Sequence, residues 1–127
     1  MGNLVFLFGE AEKGSFCTPM TCHSLLELSE AFGNPPEESL GLFYAIQVLL
    51  YKRELIYFRV KEEGFSISDY KRGLYILKNK EIHKNPSAIC LPGVGDAEII
   101  DEISEICYLF HSLLITTEKD FYDYITH

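Results

Sequence analysis

The residues best equipped for chemistry are acidic ones that follow apolar runs. Gly9-Glu10-Ala11-Glu12 follows the run 4–8, and Lys61-Glu62-Glu63-Gly64 follows 55–60. Pro92-Gly93-Val94-Gly95-Asp96 follows 88–91, and Thr117-Glu118-Lys119-Asp120 follows 113–116. If the runs are parallel strands, these segments share the carboxyl rim of the sheet, where open α/β sheets bind ligands. Carboxylates gathered there have the oxygen chemistry to hold Mg²⁺. On that reading Glu10, Glu12, Asp96 and Asp120 are the candidate ligand-binding residues. The same carboxylates also suit helix capping and a solvated rim. Capping is the expectation, with the ligand site as its alternative.

Other chemical signatures are incomplete. Cys17, Cys22 and His23 form C-x4-C-H, but zinc needs a fourth ligand and no second paired cluster follows. His83, His111 and His127 are scattered. A Cys–His nucleophile is not expected either, because neighbours on a strand point apart and no orienting carboxylate is evident. Pro92-Gly93-Val94-Gly95-Asp96 lacks the full G-x-G-x-x-G pattern and has no following Lys-Ser/Thr. Asp96 would also put negative charge where a phosphate would sit, so this segment reads as a tight strand-to-helix turn. The acidic pair of a phosphorelay receiver is missing after the first strand, which ends Phe8-Gly9-Glu10. No G-x-S-x-G, H-E-x-x-H or Walker pattern occurs. No catalytic set, metal site or cofactor is expected.

The elements that must position these residues follow from hydrophobic periodicity. Runs 4–8, 55–60, 88–91 and 113–116 read as strands, and the near-continuous apolar character of the first, third and fourth suits burial on both faces. Ser24-Leu25-Leu26-Glu27 is a capping box opening a helix that closes at Gly33. After the breaker Asn34-Pro35-Pro36, a second helix is expected over 37–51. Its first turn is acidic and Lys52-Arg53 follows its end, as the helix dipole favours. Ser68-Asp69-Tyr70 opens a third helix, with Tyr70, Leu74 and Leu77 on one face. Asp96 opens a fourth, where Ile99, Ile103, Ile106, Cys107 and Phe110 form an apolar stripe opposite Glu98, Asp101, Glu102 and Glu105. A short last helix is expected over 121–125. The order β-α-α-β-α-β-α-β-α predicts one α/β domain over residues 1–127. Its sheet is expected to have four mostly parallel strands, with helices on both faces.

Composition bounds the function. The chain has 127 residues, 47% hydrophobic and 24% charged, so general disorder is excluded. Its net charge of −8 disfavours phosphate backbones and anionic membranes as partners. Residues 1–10 have no basic n-region, so they do not read as a signal peptide. The longest apolar stretch, 42–51, is too short to span a bilayer, which takes about 20 residues. Cys90 and Cys107 sit in apolar patterns, as reduced cysteines used as small hydrophobes do. Cytoplasmic localisation is expected.

Several phrases recur in a recognisable order. They are Val5-Phe6-Leu7-Phe8-Gly9-Glu10-Ala11-Glu12-Lys13-Gly14, then Thr18-Pro19, then Ser24-Leu25-Leu26-Glu27-Leu28 to Phe32-Gly33. Next come Leu55 to Arg59-Val60, Asp69-Tyr70 to Gly73-Leu74 and Leu77, and Ile89-Cys90-Leu91-Pro92-Gly93. Together, from about residue 4 to 117, they resemble the core domain of contractile tail sheath proteins, found in phage tails, pyocins and type VI-like injection systems. The resemblance implies a non-catalytic structural or assembly protein working through protein–protein contacts. Family members carry terminal arms that add strands to neighbouring subunits and inserted outer domains. This chain resembles a reduced version without them. The charges Lys52-Arg53-Glu54 and Lys61-Glu62-Glu63 around the second strand are expected to guard a sheet edge or set a partner's register. Self-association through aromatic helix surfaces near Tyr44 and Tyr51 is a further expectation. The alternative is a small cytoplasmic α/β enzyme or ligand-binding domain using the carboxylate rim.

Overall fold

The structure is a computed structural model and describes residues 3–82, 84–116, 122, 125 and 126. Among the described residues, five strands form one sheet in the order β2-β3-β1-β4-β5. The strands are β1 (Leu4–Gly9), β2 (Pro19–Cys22), β3 (Glu54–Arg59), β4 (Ala88–Cys90) and β5 (Leu113–Ile115). Between them lie α1 (Leu25–Phe32), α2 (Gly41–Leu50), α3 (Ile67–Lys78) and α4 (Ala97–Phe110). β1 pairs parallel with β3 and β4, and β4 pairs parallel with β5. β2 runs antiparallel to β3, with Met20 opposite Tyr57 and Thr21 opposite Ile56.

The α/β class and the helices on both faces are as expected, but the sheet is mixed and has five strands instead of four. The unforeseen strand, β2, lies at an edge. Only its Cys22 is buried, so it needs no apolar run and shows none. Pro19 opens it, a position that suits proline because an edge strand has no neighbour for that N–H to serve.

Strand alternation sorts the core into two layers. Leu4, Phe6 and Phe8 of β1 join Ile56 and Phe58 of β3 against α3 and α4. Val5 and Leu7 join Leu55 and Tyr57 against α1 and α2. All six residues of β1 are buried, which is why its sequence is apolar without alternation. On the α3/α4 side Phe8 packs against Phe6, Phe58 and Tyr70, with ring centroids 5.2, 5.1 and 5.2 Å away. Gly73 lets α3 approach this cluster: a Cβ there would stand 2.7 Å from Phe8 Cζ.

Three local expectations are revised. α2 begins at Gly41, not at residue 37, and Glu38 takes a positive φ of 65° in the preceding turn. α3 begins at Ile67, so Asp69 lies inside its first turn. β3 is flanked by β1 and β2, so the charges around it guard no edge. The expected helix over 121–125 falls largely outside the described residues. No described helix is long and apolar enough to cross a membrane.

Candidate functional site at the strand-end rim

The ends of β1 and β3 are tied by two glutamates. Glu10 N–H donates to Glu63 Oε1 at 2.9 Å, and Glu63 N–H donates to Glu10 Oε2 at 2.8 Å. Glu63 also accepts from Ser39 Oγ at 2.8 Å, Leu40 N–H at 2.7 Å and Gly41 N–H at 3.1 Å. The last two are the orphan donors that open α2, whose own N-cap residue, Leu40, has no capping side chain. Glu63 therefore caps a helix from a different loop and supplies the negative charge the dipole favours. Glu37 and Glu38, expected in the first turn of α2 to match its dipole, instead precede the helix.

This node is closely built. The Tyr57 hydroxyl donates to Glu10 O at 2.7 Å. A Cβ on Gly9 would stand 2.7 Å from Gly41 Cα, so the end of β1 and the start of α2 touch backbone to backbone. Burial, then the nearby Glu63, pushes the Tyr57 phenol well above its ordinary range. Tyr70 accepts Gly64 N–H at 2.7 Å, and burial raises its phenol too, against the opposing effect of that bond.

The other rim carboxylates are engaged in the same way. Glu12 Oε1 accepts Asn34 N–H at 2.9 Å. Asp96 Oδ1 accepts Ile99 N–H at 3.0 Å as the N-cap of α4. Asp69 Oδ2 accepts Lys61 N–H at 2.8 Å, and its Oδ1 accepts the Cys17 thiol at 3.3 Å. Of the four candidates, Glu10, Glu12 and Asp96 each serve a separate backbone group, and Asp120 lies outside the described residues. Among the described residues no group of three or more His, Cys, Asp or Glu is placed to hold a metal ion.

The C-x4-C-H residues are not brought together either. Cys17 faces Asp69, Cys22 enters the α1/α2 core, and His23 is exposed. Burial, then the bond to Asp69, pushes the Cys17 thiol up to about 11. Burial raises Cys22 and Cys107 to about 11 as well, and lifts Cys90 further. The Pro92-Gly93 segment is a tight turn, with Gly93 at φ 82° against the backbone of Glu63 and Gly64.

Two contributors carry no mark of their role in the sequence. Glu63 was one rim acid among several, and nothing local marks it as a cap for residues 22 and 23 positions away. Arg59 donates to Ala11 O at 2.9 Å and to Gly14 O at 2.5 Å, with its guanidinium 3.9 Å from the Phe16 ring centroid. It thereby pins the β1–β2 connection.

Open depressions lie beside β2 and α3. One of about 330 Å³ sits beside β2 and is lined by Pro19, Thr21, Ile56, Ile76, Glu81 and Ile82. An adjoining one shares Ile76 and Glu81 and reaches Cys17, Arg72 and Tyr75. The chain matches no protein-family profile, no curated protein and no solved structure.

Proposed function

We propose that this chain is a non-catalytic assembly domain, related to the contractile tail sheath core, that works through protein–protein contacts. The observation that carries the reading is the outer edge of β2. Among the described residues it is paired on one side only; it carries no charged residue and borders a groove toward α3. An edge with a flanking groove is the arrangement that accepts an added strand: the backbone supplies the hydrogen bonds and the groove takes alternate side chains. In the family that the ordered phrases resemble, neighbouring subunits supply such strands. The rim chemistry supports the same reading, since Glu10, Glu12, Glu63, Asp69 and Asp96 hold backbone N–H groups. A net charge of −8 favours protein partners over nucleic acids or anionic membranes. The thiols, Cys22, Cys90 and Cys107 among them buried, fit a cytoplasmic setting.

The test compares the full chain with Thr21→Lys, which puts a charge on the β2 edge facing the groove. The wild type should retain a defined protein from its native lysate and show slowed amide exchange over 19–22 in that complex. Thr21→Lys should lose both while its circular dichroism stays unchanged. A thermal shift with Mg²⁺ or nucleotides that Glu12→Gln abolishes would favour the ligand-binding alternative. A ligand at 100 times its dissociation constant adds about 2.7 kcal/mol.

A further inference from the structure

α2 carries no charged residue along its whole length, GLFYAIQVLL. One side is spent on the core, where Leu42, Tyr44, Ala45 and Val48 are buried. Tyr44, expected on an association surface, is therefore a core residue. The opposite side carries no charge although it faces out: Phe43 is 53% exposed and Leu50 59%, with the half-buried amide of Gln47 between them. Helix α1 adds exposed Leu25, which lines two depressions along the α1/α2 seam, and Leu26 at 67%, beside the exposed Glu27 and Glu30. A solvated helix normally turns charge outward, and one apolar all round is normally covered.

We infer that this α1/α2 face is the interface of a homodimer, in which α2 packs antiparallel against α2 of a second copy about a two-fold axis. Area is the first argument. The exposed parts of Leu25, Leu26, Leu40, Phe43, Leu50 and Tyr51 amount to roughly 600 Å², taking ~200 Å² for a whole large side chain. That is at the upper limit for an uncovered patch on a monomer. It also supplies most of the about 800 Å² per partner that a stable pair buries.

Charge is the second argument. Two chains of −8 repel over most of their surfaces, so α2, which carries no charge, is where they meet at least cost. The ends of α2 carry opposite signs, with Glu37 and Glu38 exposed before it and Lys52 exposed after it. Among the described residues, the ion pairs Lys71–Glu98 and Lys78–Glu102 lie on the α3/α4 side, and Glu54, two positions after Lys52, is engaged by Lys84. An antiparallel pair brings Lys52 of each copy toward Glu37 and Glu38 of the other, and a parallel pair sets like charges together. The depression of about 240 Å³ between Leu25, Leu28, Leu42 and Ile46 has room for one protruding side chain such as Phe43 of the second copy.

Sedimentation equilibrium of the full chain from 1 to 200 µM tests this. The wild type should be a dimer at the upper concentrations. Phe43→Asp should weaken it by at least about thirtyfold, as loss of a central anchor does. Lys52→Glu should weaken it about fivefold, and Glu37→Lys with Glu38→Lys should restore it on that background. Tyr108→Asp, at an exposed position on the opposite helical layer, should change nothing. Circular dichroism of each variant separates lost association from lost folding. A monomer throughout the range overturns the inference, whatever else then covers the face, as does a dimer indifferent to Phe43→Asp. Either result leaves strand capture at β2 to stand or fall on its own test.

Discussion

Glu10 and Glu63, 53 positions apart, exchange backbone and side chain: each donates its N–H to the carboxylate of the other, at 2.9 and 2.8 Å. This reciprocal pair closes the ends of two adjacent parallel strands and, through Glu63, fixes the start of α2. The acids of the rim are joints of the scaffold.

Glu63→Gln should therefore be among the costliest polar substitutions in the chain. An amide offers one accepting oxygen where the carboxylate serves Glu10, Ser39, Leu40 and Gly41. Urea unfolding should show a loss of about 2–4 kcal/mol, and Glu10→Gln about 1 kcal/mol. A Glu63→Gln protein within 0.5 kcal/mol (about the error of such measurements) of wild type would contradict the capping role.

Gly73→Ala should destabilise the chain even though alanine is the better helix former. The added methyl meets Phe8, which is fully buried among other rings. The overpacking cost of about 1–3 kcal/mol outweighs a propensity gain of about 1 kcal/mol. Gly95→Ala is the control: a Cβ there meets nothing within 4 Å, so its midpoint in the same denaturant should shift little.

Arg59→Lys should loosen the connection between β1 and β2. Lysine cannot reach Ala11 O and Gly14 O together and cannot place a planar cation over the Phe16 ring. Amide exchange over residues 11–17 should accelerate while β1 stays protected, with a global loss of about 1–2 kcal/mol. Unchanged exchange in that loop would show that Arg59 is dispensable to it.

The thiols define an alkaline limit. Folding raises Cys17, Cys22 and Cys107 from 9.0 to about 11. A raised value means that the folded state keeps protons the unfolded state releases, so stability is complete below pH 9 and is lost as pH rises toward 11. The buried phenols of Tyr57 and Tyr70 act in the same direction. The thermal midpoint should be flat from pH 7 to 8.5 and fall steadily above 9. Native Cys17 should alkylate far more slowly than a free thiol at pH 8. A midpoint independent of pH up to 11 would contradict both expectations.

Much of this architecture is legible in the sequence because burial leaves local marks. Leu4 to Phe8 is apolar at every position because β1 is central and covered on both faces. Ser24 and Glu27 announce α1 because a cap and its donor lie within one turn: Ser24 Oγ accepts Glu27 N–H at 3.1 Å. Asp96 announces α4 for the same reason. The stripe of Ile99, Ile103, Ile106 and Cys107 reports the face of α4 that meets the sheet. By itself, then, the sequence determined the class of the fold, the central strands and the helices whose caps are local. The tertiary structure alone decided that β2 joins the sheet, that α2 is capped by Glu63, and that the rim acids are apportioned to separate backbone donors. An edge strand with one buried residue leaves no periodicity to read. A carboxylate's partner 22 or 53 positions away is chosen by the chain's path through space, which spacing along the sequence does not encode.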